Sequence, residues 1–459
     1  MIVMKFGGTS VADAQAIQRV MSIVSGRLDK APVIVVSALS KVTDSLYKIC
    51  DFAGNGDLIE AEMLVENIRD RHLKLIDELI ADGKYSSQAR EHTDTLCDSL
   101  KKLVDVVCDL GELSERSRAR IISTGEYLSS GIICCALNAA GISTGFLDAR
   151  KLIITDENYL KGEPDLHRIS ETVPEIINRA YRSLEAAPVS AVITQGFVSA
   201  TEKGVPTVLG RGGSDYSASL IGMAMDADEI EIWTDVDGVH TADPRRVEGT
   251  KSLDAISFKE AADMAHSGAK VLHPSTMEPA VGKNIPIKVL NSMNPSAKGT
   301  VILNEEVIPS GVKSVSCKEN VRMLNVFSSR VYNSSGFLGR VFSIFGKHHF
   351  SFDLIAVSEG SVSVTIGEDD DIQAMMEELS EFSAVFIETG KSQIAIVGKE
   401  MALEKNVLGR IFGVLEGHRI YLMSMGAAGG SLGLVVDRNE LNVIIRNLHK
   451  TLFTDGSSD

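Results

Sequence analysis

The stretch LGRGGSDYSASLIGMAMDADEIEIWTDVDGVHTADPR, Leu209 to Arg245, sets the terms for the fold. A strand, Thr207-Val208-Leu209, runs into the turn Gly210-Arg211-Gly212-Gly213. A helix follows from near Ser214, with Ala218, Ile221, Ala224 and Met225 at helical spacing. A second apolar strand, Glu229 to Trp233, ends in Thr234-Asp235. The glycines let the backbone turn sharply and approach a ligand with no side chain between. The helix start behind them offers free N–H groups and a positive dipole end, which suit an anion, and Arg211 adds a fork of donors. Asp215 then puts a carboxylate where a purely anion-binding loop would not want one. Two readings stand: a tight turn with a surface arginine and a dipole-favoured acid, or an anion cradle with a further function.

The same junction occurs at the start of the chain. Ile2 to Phe6 is a strand, Gly7-Gly8 a turn, and a helix follows with Ile17, Val20, Met21 and Val24 on one face and Ser10 and Asp13 as a capping box. Lys5 precedes the glycines, so the segment is neither a Walker A loop nor GxGxxG. A strand over Val33–Ala38 ends in the small, polar run from Ser37 to Asp44. Asp57 to about Glu112 reads as a charged helical hairpin inserted at the sheet's edge, with His72 and His92 solvated. A helix within Arg120–Ala140 starts at Ser123-Thr124-Gly125-Glu126. Strands follow over Thr144–Asp148 and Ala191–Val198, then a hairpin turning at Glu202-Lys203-Gly204, a helix over Phe258–Ala265 and a strand over Pro286–Leu290. Strands alternating with helices predict an α/β fold, a three-layer αβα sandwich on a mainly parallel sheet. Ligands bind such sheets beyond the carboxyl ends of the strands, so Lys5, Ser37, Gly210 and Asp235 are expected at one cleft.

The C-terminal third is different and repeats itself. Leu338-Gly339-Arg340-Val341-Phe342 recurs as Leu408-Gly409-Arg410-Ile411-Phe412, and in the same register His348 falls on His418 and Gly360 on Gly430. Two βαββαβ units fit this pattern. The expected partition is 1–300, with the helical insertion at about 57–112, then 301–390 and 391–459.

Composition removes several classes of function. Of 459 residues 44% are hydrophobic, and the formal net charge is −16, which argues against a nucleic-acid partner. No apolar run is long enough for a membrane span, and Met1-Ile2-Val3-Met4-Lys5 enters a strand directly, so a cytoplasmic protein without a membrane partner is expected. The six cysteines are scattered, with no metal-binding spacing, and read as structural thiols; no metal site of the protein's own is expected.

The candidate cleft holds Lys5 and Lys270 as point charges, Arg211 as a fork, amides at two glycine turns, hydroxyls at Thr43 and Ser214, and the acids Glu126, Asp215 and Asp235. No Ser–His or Cys–His nucleophile pair accompanies them. The set suits phosphoryl transfer, where catalysis is mostly positioning and charge neutralisation.

At these residues the chain resembles the aspartate kinases of the amino acid kinase superfamily. The resemblance rests on Lys5-Phe6-Gly7-Gly8-Thr9-Ser10, Ser123-Thr124-Gly125-Glu126, Gly210-Arg211-Gly212-Gly213-Ser214-Asp215, Trp233-Thr234-Asp235 and Gly268-Ala269-Lys270-Val271-Leu272-His273-Pro274, in the family's order. The repeat looks like the family's paired ACT domains, so the resemblance spans nearly the whole chain. It implies a monofunctional enzyme that uses ATP to phosphorylate the β-carboxylate of L-aspartate, the first step towards lysine, threonine and methionine. Lys5 would stabilise the phosphates and Asp215 orient the lysines. Arg211 would grip the aspartate α-carboxylate and Glu126 its ammonium, supported by Thr43, Gly212, Gly213 and Ser214. Gly7, Gly8, Thr234, Asp235, His240, Arg245, Lys270 and Val271 would contact ATP, with Mg²⁺ carried in by the nucleotide; His240 stands where the family usually has tyrosine. The resemblance further implies an amino-acid inhibitor, by likeness to the lysine-regulated members L-lysine, at Phe337, Leu338, Ser351, Phe352, Asp353, Ser358 and Glu359. It also implies a homodimer or dimer of dimers through the ACT domains. Glutamate, N-acetylglutamate or carbamate kinases are the rival enzymes, and a catalytically silent amino-acid sensor is the rival from another class.

Overall fold

The computed structural model describes residues 1–182, 188–269, 272–304, 308–328, 336–350, 352–358, 360–426 and 430–454. The chain divides into two compact units, one of residues 1–239 with 272–304 and the other of 240–271 with 305–459.

In the first unit the strands Thr144–Phe146, Ala191–Gln195, Pro32–Val36, Ile2–Phe6, Glu229–Thr234 and Ile287–Asn291 lie side by side in that order, all parallel, and Thr300–Leu303 adds an antiparallel neighbour. Their near-continuous apolar runs are what a sheet covered on both faces requires: Pro32–Val36 and Ala191–Gln195 are buried at every position. Val208 is not part of this sheet. Pro206–Val208 pairs with Val198–Thr201 in a separate small sheet with Ile154–Thr155, so the Gly210 turn hangs from a hairpin rather than from a strand of the main sheet.

Three local expectations are corrected. Asp13 alone caps the first helix, Ala14–Ser25, by accepting the Ala16 N–H, while the Ser10 hydroxyl turns into the interior towards the Trp233 carbonyl and Ser292. The helical hairpin, Leu58–Leu79 and Lys84–Leu110, packs on the helices Val42–Asn55 and Thr124–Ala139, forming an extra layer rather than an edge. Its His72 is buried, not solvated, because it falls on the stripe of Ala61, Val65, Ile68, Leu75 and Ile76 that faces the core. His92 is half-buried, its Nε2 against the Tyr127 carbonyl at 2.9 Å.

The second unit carries a six-stranded antiparallel sheet in the order Ile355–Ser358, Ser361–Gly367, Gly311–Ser328, Ser383–Lys399, Ser431–Asp437, Leu422–Met425. Each repeat has its own core: Val341 with Leu324, Val364 and Leu379 in the first, Ile411 with Ile394, Leu434 and Ile445 in the second. The repeats are interlaced. Val321 to Ser328 pairs with Ser383 to Lys391 and belongs to the first, but Gly311 to Lys318 pairs with Gln393 to Lys399, and Val315 lies in the second core. The last strand of the second βαββαβ unit therefore comes from before the first unit, which moves 311–318 out of the expected 301–390 portion. Part of 240–269 also packs here: Ala242 and Val247 enter the second core, and Thr241 Oγ1 lies 2.9 Å from His449 Nε2.

His72 makes acid stability testable. Its Nδ1–H donates to the Ile68 carbonyl at 2.7 Å, Nε2 has no partner among the described residues, and burial pushes its pKa down to about 4. The ordinary value is ~6.5, so the unfolded chain takes up this proton first and stability falls as pH drops from ~6.5 towards about 4, by up to about 1.4 kcal/mol per pH unit. Urea melts from pH 7 to 5 should be measurably flatter for His72→Leu than for the natural chain.

Candidate active site

Glycines fix the loop around which the site is built. Gly210 and Gly212 have φ of 74° and 73°, left-handed conformations that cost other residues strain. The Gly213 N–H closes the turn on the Gly210 carbonyl at 3.0 Å, and the helix Gly213–Ala224 starts there, putting Ser214 and Asp215 in its first turn. The Ser214 hydroxyl accepts from Ser37 Oγ at 3.0 Å. That approach requires a bare residue at 196, since a Cβ there would stand 2.6 Å from the Ser214 Cβ. Phe197 beside it holds a φ of 66°, rare for a bulky side chain, with its N–H on Ser217 Oγ at 3.0 Å. Nothing in the sequence singles out Gly196-Phe197 beyond the break they make between the strands Ala191–Gln195 and Val198–Thr201.

The ammonium of Lys5, at the end of Ile2–Phe6, meets Asp215 at 2.6 Å, with both side chains mostly enclosed. Gly7 lies alongside, where a Cβ would come within 3.5 Å of Lys5 Nζ, and the Gly7 N–H is tied to the Trp233 carbonyl at 3.2 Å. Thr234 and Asp235 follow Trp233, joined by a hydroxyl–carboxylate hydrogen bond of 3.1 Å. At Gly8 a Cβ would meet the Ala38 carbonyl oxygen at 3.1 Å, and at Gly125 one would meet the Ala38 Cβ at 2.8 Å. Two glycines thus bring the Lys5 turn and the start of the helix Thr124–Ala139 onto the Ser37–Ser40 loop.

The second approach seats Glu126. Its carboxyl is buried, accepts from the Ala38 N–H, and leaves Oε2 without a partner among the described residues. Desolvation dominates and pushes its pKa up to about 8, so the free protein holds it largely protonated at neutral pH. Thr43, in the first turn of Val42–Asn55, is half-buried; Arg211 is exposed and makes no ion pair with another described residue. Among the described residues no group of His, Cys, Asp and Glu could hold a metal ion unaided. The assembled pieces are a paired cation, bare amides, a fork of donors and a latent buried acid. They can neutralise a migrating anion and hold a zwitterion beside it.

Not every expected residue belongs to this unit. His240 and Arg245 lie in the second one. There His240 Nδ1 is 3.4 Å from Thr250 Oγ1, and Arg245 is turned on Asp243 through contacts of 2.9 and 2.7 Å, holding that carboxyl below the usual range. Lys270, Val271, Ser351 and Glu359 lie outside the described residues. Of the expected effector residues, Phe337 is buried, Leu338 half-buried, and Phe352 packs against Phe345 at 5.8 Å between ring centres. Ser358 shares a hydrogen with Ser361 at 2.6 Å, and Asp353 is paired with Lys318 at 2.5 Å.

Residues 1–291 match the model of the amino acid kinase family. The chain is 33% identical to the lysine-sensitive aspartokinase 3 of Escherichia coli, covering 98% of this chain and 99% of the relative. It is also 33% identical to the aspartokinase of Chlamydia trachomatis, over 98% of each. Among solved structures, E. coli aspartokinase III in complex with aspartate and ADP (R-state) superposes with a TM-score of 0.85 at 33% identity, covering 99% of this chain and 100% of that one. The same enzyme in complex with lysine and aspartate (T-state) gives 0.79 over 99% of each chain. Among the described residues no helix is long and apolar enough to cross a membrane.

Burial of Glu126 gives the ligand-free protein a measurable penalty. With its folded pKa raised to about 8 against an ordinary ~4.5, stability is lost as pH rises between those values. Glu126→Gln should therefore melt higher than the natural chain at pH 8 without ligands, and the difference should vanish near pH 4.5. Calorimetry at the two pH values checks it.

Proposed function

The chain belongs to the aspartokinases of the amino acid kinase family, and from that membership we propose how its own residues carry out the ATP-dependent phosphorylation of the β-carboxylate of L-aspartate to 4-phospho-L-aspartate. The observation that carries the assignment of roles is the Lys5–Asp215 pair at 2.6 Å beside two glycine turns. An oxygen of the substrate β-carboxylate, ionised at pH 7 with a pKa of ~3.9, attacks the γ-phosphorus and ADP leaves, so no general base is needed. Lys5 neutralises charge on the phosphoryl oxygens as they move. Asp215 is its positioning partner, fixing an ammonium that would otherwise swing on four methylenes. Arg211, exposed and in no ion pair with another described residue, takes the substrate α-carboxylate in a two-pronged contact.

Glu126 takes the substrate ammonium. Pairing with that cation restores the carboxylate that burial suppresses, so binding at neutral pH expels a proton from Oε2 or its neighbour oxygen. Thr43, Gly212, Gly213 and Ser214 line the amino-acid side; Gly7, Gly8, Thr234, Asp235, His240, Arg245, Lys270 and Val271 serve ATP. Mg²⁺ would enter with ATP, held mainly by phosphate oxygens and water. An amino acid, L-lysine by likeness to the lysine-sensitive relative, inhibits through the ACT pair, with Asp353 receiving its ε-ammonium. The working form is at least a homodimer.

Trapping the acyl phosphate with hydroxylamine tests the reading: hydroxamate should form with aspartate and ATP and not with glutamate, and product from glutamate alone would overturn it. Asp215→Ala should lower kcat by ~100-fold or more while shifting the KM for aspartate far less, because the lost charge control is felt in the transition state. Steady-state kinetics separates the two parameters, and near-normal kcat would leave the loop with binding only.

A further inference from the structure

The effector acid of this protein is already occupied by a cation from its own chain. Asp353 Oδ2 receives Lys318 Nζ at 2.5 Å, the carboxylate being one-fifth exposed and the lysine rather more, 37%. The two residues belong to different repeats. Asp353 precedes Ile355–Ser358 in the first, held by its N–H on the Thr365 carbonyl at 3.4 Å and by the next N–H, of Leu354, on Thr365 Oγ1 at 2.8 Å. Lys318 is the last residue of the portion paired with the second repeat, facing Gln393 across the ladder. Immediately after it the register shifts, and Asn320 takes a φ of 58° as the strand crosses into the first repeat.

Resting on the reading that Asp353 receives an effector ammonium, we propose that Lys318 is a tethered stand-in for the effector: a free amino acid with a side-chain ammonium binds only by displacing Lys318 from Asp353. The chemistry of the two cations is the same, a primary ammonium on a flexible methylene stem, so they compete for one carboxylate. The tether keeps the internal competitor at high local concentration, and only the α-carboxylate and α-ammonium of the free effector give it contacts that Lys318 lacks. The protein thus sets its threshold for the inhibitor with its own lysine. A partly exposed ion pair is weak, so the threshold is raised only modestly, roughly threefold to fivefold.

The test measures inhibition and calorimetric binding of L-lysine by the full-length enzyme carrying Lys318→Met, Lys318→Gln or Lys318→Arg, with Asp353→Asn alongside. Removing the competitor should lower the half-inhibiting lysine concentration roughly threefold or more in Lys318→Met and Lys318→Gln, leave uninhibited activity unchanged, and leave Lys318→Arg close to the natural chain. If Asp353→Asn loses lysine sensitivity while both Lys318 variants keep or raise the natural half-inhibiting concentration, Lys318 is not a competitor and the proposal fails alone. If Asp353→Asn keeps full sensitivity, the effector reading itself is wrong and the proposal falls with it. Using two isosteric replacements keeps the outcome readable should one variant misfold.

Discussion

A single ion pair, Lys5 to Asp215 at 2.6 Å, makes demands that much of the first unit answers. Neither charge tolerates enclosure alone, so strand end and helix start must meet to within a fraction of an ångström. The backbone that presents them is crowded on three sides, and each crowding point carries a residue without a side chain. Gly196 admits Ser214, Gly8 admits the Ala38 carbonyl, and Gly125 admits Ala38 itself. The pair also sets two groups of one turn apart: the first-turn acid of the helix faces the lysine, while Arg211 is exposed to solvent, where the proposed function has it meet a carboxylate.

Glu126 sits at the opposite extreme. Among the described residues it is enclosed without a counter-cation, which is stable because the group can hold its proton. A site that stores a neutral acid discriminates by charge: a ligand lacking an ammonium gains nothing from Glu126 and must leave it neutral. With Glu126 in the proposed role, an N-acetylated amino acid is disfavoured on this ground and the free amino group of aspartate is favoured.

The candidate residues were legible where chemistry is written locally. Strand and paired glycines read directly from 5–10 and, with a first-turn acid, from 210–215, whereas the acid at 126 is a weak signal at a helix start and takes its expected role from the family resemblance. What stayed hidden depends on partners distant in sequence. His72 reads as a surface histidine on a charged helix until the neighbouring helices define which stripe is covered. Ser10 fits a cap by spacing, yet Trp233 and Ser292 compete for its hydroxyl and win. The segment 311–318 carries no label for its neighbour, so its membership in the second repeat cannot be read from the sequence. Arg245 looks like an open cation until Asp243, two residues away, is seen to hold it.

That interlacing bears on how the chain must assemble. Val312 faces Gly398, and Val326 faces Val385, so the pairing of the long strands brackets the whole first repeat. The first repeat can close on itself as soon as it is made. Strand 311–318 cannot: synthesised earlier, it waits with an open ladder edge until 393–399 arrives, then is locked between that strand and its own repeat's helices. Formation of the second repeat is in this sense the stitching of a loop, and the first repeat is its contents. A protein built this way cannot gain or lose its first repeat as a bead on a string, because the chain enters and leaves it through two strands, 311–318 and 393–399, that are paired with each other in the second repeat.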